Sequence, residues 1–175
     1  MSDSQKIIVE KVDLLLAELV ELRSRGPHFR IRHRFGRIAG CSPGEEISVI
    51  ILVHRGREYC LHLPLALRLL FDYLARHSRF PQSAGQIEVG IRANPFYTEH
   101  ASAVMGKTKF TRRIPRSTVR VYVQRLRIAI ADAMHEAGLQ IDPLTIVVSQ
   151  ETVMKEVGYR LKATFEWVHI ERSSD

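Results

Sequence analysis

The sequence predicts an α+β fold, and three observations carry the prediction. Residues 46–53 form a nearly unbroken apolar run of strand length, Glu-Ile-Ser-Val-Ile-Ile-Leu-Val. Residues 64–137 hold three stretches in which apolar side chains recur every three or four positions, the spacing of one helix face. Residues 146–170 return to strand character, with Tyr159, Leu161, Ala163, Phe165 and Trp167 alternating onto one face.

An additional helix comes first. Ile8, Val12, Leu15, Leu19 and Leu22 follow one another at spacings of four, three, four and three, the a/d seam of a short coiled coil. Asp3 or Ser4 can cap its start, and Gly26-Pro27 stops it. A helix this short is marginal in water by itself, so the seam must pack. Its partner is either its own domain or the same helix of a second copy. The narrow seam, outside the apparent domain, favours the second copy and hence a homodimer. The expected division is a dimerising helix at 1–25, a basic linker or arm at 26–44, and a main domain at 45–175. Within the linker, His28 to Arg37 alternates basic with apolar residues. That pattern suits an edge strand, an arm lying along phosphates, or a solvated connector.

The main domain opens with the buried strand Glu46 to Val53. Arg55-Gly56-Arg57 turns the chain, and Tyr59, Leu61 and Leu63 alternate on the returning strand. Pro64 opens a helix, where its missing N–H is harmless, and Leu67, Leu70, Phe71 and Leu74 form its apolar face. Ser83 and Gln86 fit a capping box for a second helix with Ile87 and Ile91 inward, ended by Asn94-Pro95. A long basic loop leads to a third helix that Gly138 terminates. Ile146, Val147, Val148 and Val153 then read as a strand, Lys155 to Gly158 as a turn, and Tyr159 to Ile170 as one returning strand. Two strands, three helices and a closing hairpin, with a cationic third helix, is the layout of a winged helix-turn-helix.

Composition narrows the function. The 175 residues suffice for one domain plus an appendage, and 45% apolar content supports a core. A net charge of +7 favours a polyanionic partner. An acidic membrane surface would also attract it, but there is no apolar run of ~18 residues to span a bilayer and no leader-like start. The chain is therefore expected to be cytoplasmic and nucleoid-associated. Cys41 and Cys60, with His54 and His62 nearby, lack the second close ligand pair of a structural zinc site, so neither metal nor cofactor is expected. A Gly-rich phosphate loop and a nucleophile elbow are both missing, and His135-Glu136 has no second His four residues on. Catalysis is not expected.

The densest charge lies between Lys107 and Arg127. This stretch holds eight Lys or Arg residues, and no acidic residue occurs between Glu99 and Asp132. In its second half Val119, Val123, Leu126, Ile130, Ala133 and Ala137 stack on one stripe. Ser117, Arg120, Val121, Gln124 and Arg125 project elsewhere. A helix apolar on one side and cationic on the other suits a nucleic-acid groove.

Two motifs in this order resemble the winged-helix DNA-binding effector domain of OmpR/PhoB-type bacterial response regulators. Ser117-Thr-Val-Arg-Val-Tyr-Val-Gln-Arg125-Leu-Arg127 stands where that family has roughly Arg-Thr-Val-Asp-Val-His-Ile-x-Arg-Leu-Arg. Gly158-Tyr-Arg-Leu161 matches the motif that closes the family's wing. The resemblance covers about residues 45 to 170 by this motif alignment. Departures are Arg120 in place of the acidic residue, a long basic loop, and a short helix where the phosphoacceptor receiver domain would stand.

The resemblance implies a sequence-specific, double-stranded DNA-binding transcriptional regulator. Its third helix would enter the major groove with Val121, Gln124 and Arg125 facing bases. Arg116, Ser117, Thr118, Arg120, Tyr122 and Arg127 would contact phosphates. Lys155 would enter the minor groove from the wing, with Arg160 also in the wing. Lys107, Lys109, Arg112 and Arg113 would add phosphate contacts, or their loop would dock RNA polymerase. Alternatives are a replication or partition factor of a mobile element and a protein-binding winged-helix adaptor.

Overall fold

The computed structural model describes residues 3–35, 46–94 and 114–170. The described elements run α1 (Asp3–Arg25), β1 (His28–Phe35), β2 (Glu46–His54), β3 (Arg57–Leu61), α2 (Leu65–Arg76), β4 (Gln82–Ser83), α3 (Ala84–Ala93) and α4 (Arg116–Glu136). A 3-10 turn at Pro143–Thr145 follows, then β5 (Val147–Glu151), β6 (Val157–Leu161) and β7 (Thr164–Ile170). The chain is thus α+β, with one sheet ordered β3-β2-β1-β7 and another ordered β4-β6-β5.

The first sheet begins with a tight hairpin. Arg55 and Gly56 both have positive φ, 48° and 73°, the two-residue turn whose twist matches antiparallel strands. β1 pairs antiparallel with β2 and parallel with β7, so it is an interior strand. The expectation of a linker or arm is corrected here for His28–Phe35. Alternation explains it. Phe29 and Ile31 point inward and are fully buried. His28, Arg30 and Arg32 fall on the opposite face, where acidic side chains of neighbouring strands meet them. Arg30 Nε donates to Glu166 of β7 at 2.7 Å, Arg30 also meets Glu58 of β3, and Arg32 donates to Glu58 at 2.7 Å. Hydrogen bonding from Arg30 is the main cause that holds the Glu166 carboxyl below its ordinary value. Cys60 lies in β3 with its side chain exposed; Cys41 is outside the described residues.

A second correction concerns the C-terminal strand expected from Tyr159 to Ile170. It breaks at Lys162-Ala163. β6 stays in the second sheet, while β7 crosses to the first. The Lys162 N–H donates to Ile146 O at 2.8 Å and the Thr164 N–H to Pro27 O at 2.9 Å. Gly26 sits against this crossover with φ +76°, and a Cβ there would stand 2.2 Å from the Lys162 carbonyl oxygen. Only glycine fits both the backbone and the space.

One core joins the layers. The rings of Phe29 (β1), Phe71 (α2) and Phe165 (β7) pack at centroid distances of 5.1, 6.5 and 6.2 Å. Leu67, Leu70, Phe71 and Leu74 of α2, with Ile87 and Ile91 of α3, are buried as their periodicity predicts. The capping box forms: Gln86 N–H donates to Ser83 Oγ at 3.3 Å, and Ser83 N–H to Gln86 Oε1 at 2.8 Å. Gln82 and Ser83 also pair with Tyr159 and Gly158, so the entry to α3 is stitched to β6.

α1 meets the body at Glu18. Glu18 accepts hydrogen bonds from Arg55 Nη2 at 2.9 Å and Nε at 3.2 Å, and lies 3.7 Å from His54 Nδ1. The seam residues Ile8, Val12, Leu15 and Leu19 remain exposed. Leu22 is in the helix, but its side chain lies outside the described residues.

Candidate nucleic-acid interface

α4 is the element on which the candidate residues depend. It starts after Pro115, whose carbonyl accepts the Thr118 N–H at 2.8 Å, and it runs 21 residues. Its end is a Schellman motif. Leu139 N–H donates to Met134 O at 2.8 Å and Gly138 N–H to His135 O at 2.9 Å, with Gly138 at φ +72°. Val119, Val123, Leu126, Ile130 and Ala133 form the expected buried stripe, joined by Met134. Ala137 is only partly buried.

That stripe fixes the outward face by geometry. Arg116, Ser117, Arg120, Val121, Gln124 and Arg125 are all exposed, and Thr118 is half-buried. Successive positions are 100° apart, so Ser117, Val121 and Gln124 share the centre of the face. Arg120 and Arg125 flank it on opposite sides. Neither arginine has an ion-pair partner among the described residues. Arg116 has one: its guanidinium lies 3.7 Å from Glu156, which closes the turn of the β5–β6 hairpin. The three proposed base readers are thus brought together on one surface.

Two candidate phosphate contacts sit differently from expectation. Arg127 faces β5, not solvent. Its Nε and Nη2 donate to Val147 O at 3.0 and 2.6 Å, and Nη2 also donates to Ser149 Oγ at 2.9 Å. Its guanidinium is a strut between α4 and the hairpin, because position 127 lies at the margin of the buried stripe. The Tyr122 ring, on the other margin, is half-buried and packs against the core.

The hairpin turn falls earlier than Lys155 to Gly158. Lys155 N–H donates to Thr152 O at 2.9 Å, and Lys155 itself is left-handed at φ 57°. This is a three-residue loop closed by a left-handed residue. Val153, expected in the strand, is at the tip and 99% exposed. Gly158 lies inside β6, where a Cβ would come within 2.5 Å of Thr152 Cγ2 and 3.1 Å of Pro81. Lys155 is exposed at the tip; Arg160 is half-buried opposite Val148. Lys107, Lys109, Arg112 and Arg113 lie outside the described residues.

Sequence reading missed three exposed apolar residues here: Ile128 on the outward face of α4, and Val153 and Met154 at the hairpin tip. Ile128 continues the spacing of Val121 and Gln124 by four positions, a signal masked by the stronger Val119 stripe. Among the described residues, no group of three His, Cys, Asp or Glu side chains is placed to hold a metal. No helix of the described residues is long and apolar enough to cross a membrane. No family model, curated protein or solved structure matches the chain.

Proposed function

We propose that this protein is a winged-helix, double-stranded DNA-binding transcriptional regulator that lays α4 in the major groove. The observation that carries the reading is the outward face of α4, where exposed Arg120 and Arg125 flank Ser117, Val121 and Gln124, neither arginine having an acidic partner among the described residues. A 21-residue helix is about 31 Å long and 10–12 Å across, and the B-form major groove is about 12 Å wide. Val121 can touch a thymine methyl, Gln124 can bond adenine, and Arg125 can fork onto a guanine edge. Arg116, Ser117, Thr118 and Arg120 surround them as phosphate contacts. Lys155 stands at the tip of a hairpin that Arg127 braces against α4, within reach of the neighbouring minor groove. The helical triad followed by this hairpin supports the winged-helix reading.

Binding to short duplexes, followed by fluorescence anisotropy at several salt concentrations, tests it. Affinity is expected to fall linearly on a log–log plot. Arg120→Ala is expected to lower that slope by about one unit, and Arg125→Ala to cost roughly 1–3 kcal/mol at one base pair of a selected site. An affinity indifferent to salt refutes the mechanism. The protein-binding adaptor reading has one specific observation behind it, the exposed Val153, Met154 and Ile128. It predicts that replacing these three leaves every duplex affinity unchanged while abolishing partner capture.

A further inference from the structure

We infer that α1 pairs antiparallel with α1 of a second copy, setting the two exits to β1 about one turn of DNA apart. The helix leaves an unusual amount of apolar surface in water. Ile8, Val9, Val12, Leu15, Leu16 and Leu19 are each about half exposed or more. Glu18 latches the helix to Arg55, and Leu15 and Leu19 edge a groove facing Leu139 and Ile141. These contacts leave the outer flank of the seam open.

Charge and apolar matching select both the occupant and its direction. With Val12 and Leu19 at a and Ile8 and Leu15 at d, Lys11 and Glu18 occupy g, and Val9 and Leu16 occupy e. An antiparallel pair layers Ile8 on the partner's Leu19 and Val12 on the partner's Leu15. It then sets Lys11 opposite the partner's Glu18 on one flank, and Val9 opposite the partner's Leu16 on the other. Both of these flanking pairs are matched, and the twofold axis repeats each of them. A parallel pair would set Leu16 against Lys11 and Val9 against Ser4, and would match only Glu18 with Arg23. The surface is therefore complementary to itself in one direction.

The antiparallel register also has a consequence for spacing. The layers place residue 25 of one helix beside the start of the other, so the two exits to β1 are separated by about 23 residues, or roughly 35 Å. Half-sites read by paired major-groove helices lie about 34–36 Å apart. This last step rests on the DNA-binding reading. The dimer itself does not, and it is measured without DNA.

Sedimentation velocity of the full chain, free of nucleic acid, is expected to show a concentration-dependent dimer. Lys11→Glu puts two carboxylates against each other twice and should weaken the dimer about tenfold. Glu18→Lys also breaks the Arg55 latch, so the decisive comparison is Lys11→Glu with Glu18→Lys together, expected to dimerise more tightly than either alone. Spin labels at Gln5→Cys, with Cys41→Ser and Cys60→Ser, should lie about 25 Å apart across the pair. A monomeric wild type, a neutral Lys11→Glu, or labels closer than about 15 Å, as a parallel pair requires, would each overturn the inference. Loss of DNA binding with an intact dimer would instead count against the DNA-binding reading alone.

Discussion

Arg127→Ala separates a brace from a DNA contact. Three hydrogen bonds are lost, two to the Val147 carbonyl and one to Ser149 Oγ. A hydrogen bond from a charged donor contributes about 1.5–3 kcal/mol at most and a neutral-type one about 1. The guanidinium is half-exposed, and two of its bonds share one acceptor, so the set is worth about 2 kcal/mol altogether. For a chain of this length that is a fall in Tm of about 4–8 °C. Urea unfolding monitored by circular dichroism and by Trp167 fluorescence reads the stability directly. The hairpin should lose its fixed position beside α4, so hydrogen exchange across β5 and β6 should quicken. DNA affinity should fall modestly and by the same factor for all sequences, with the salt slope unchanged, because no phosphate contact is removed. Unaltered stability together with a slope reduced by about one would refute the brace and restore Arg127 as a phosphate contact.

Gly90→Ala should destabilise the α2–α3 crossing. A Cβ there would fall 2.0–2.8 Å from three ring carbons of Tyr73, and that ring is pinned by its hydroxyl on Gln82 at 3.1 Å and by His77 at 4.3 Å. Overpacking of about 1–3 kcal/mol outweighs the roughly 1 kcal/mol helix-propensity gain; a stabilised variant in chemical denaturation would show that Tyr73 moves aside freely. Acidification should destabilise the fold through His54 and then loosen α1 through Glu18. Burial is the main cause that lowers the His54 imidazole from its usual 6.5, so the neutral form is favoured on folding, and that stability is present above about 6.5 and lost as pH falls toward the lower folded value. The Arg55 hydrogen bond holds Glu18 below its usual 4.5, so its share is present above about 4.5 and lost as pH falls through its folded value. Denaturant unfolding between pH 7 and 5 measures the first stage, and hydrogen exchange in α1 of the wild type and Glu18→Gln measures the second; exchange that already coincides in the two above pH 4.5 would contradict the second.

What the sequence revealed depended on how local the deciding contact was. Arg55-Gly56 announced its hairpin, Ser83 and Gln86 their capping box, and Gly138 its helix end, because each motif is satisfied within a few residues. The buried stripe of α4 was equally plain from spacing alone. β1 was not, because its cations are neutralised by Glu58 and Glu166, which sit 28 and 136 residues from Arg30. Charge sign reads the same on an arm and on a paired strand. The crossover at Lys162-Ala163 was hidden as well, since Leu161, Ala163 and Phe165 keep an unbroken alternation across two sheets. Arg127 could not be told from Arg120 and Arg125 until β5 was in place beside it. Among the candidate readers, Val121, Gln124 and Arg125 do share one exposed face, a consequence of helical spacing against the buried stripe.

The proposed function has α4 and the β5–β6 hairpin tip touch DNA together. Amide chemical-shift mapping of the labelled protein, titrated with a duplex of selected sequence, tests it most directly. Shifts are expected to gather on residues 116–128 and 153–155, with the β3-β2-β1-β7 sheet undisturbed on its Arg30–Glu58–Glu166 face. Shifts centred on that sheet face, or none on α4 at saturating duplex, would contradict it.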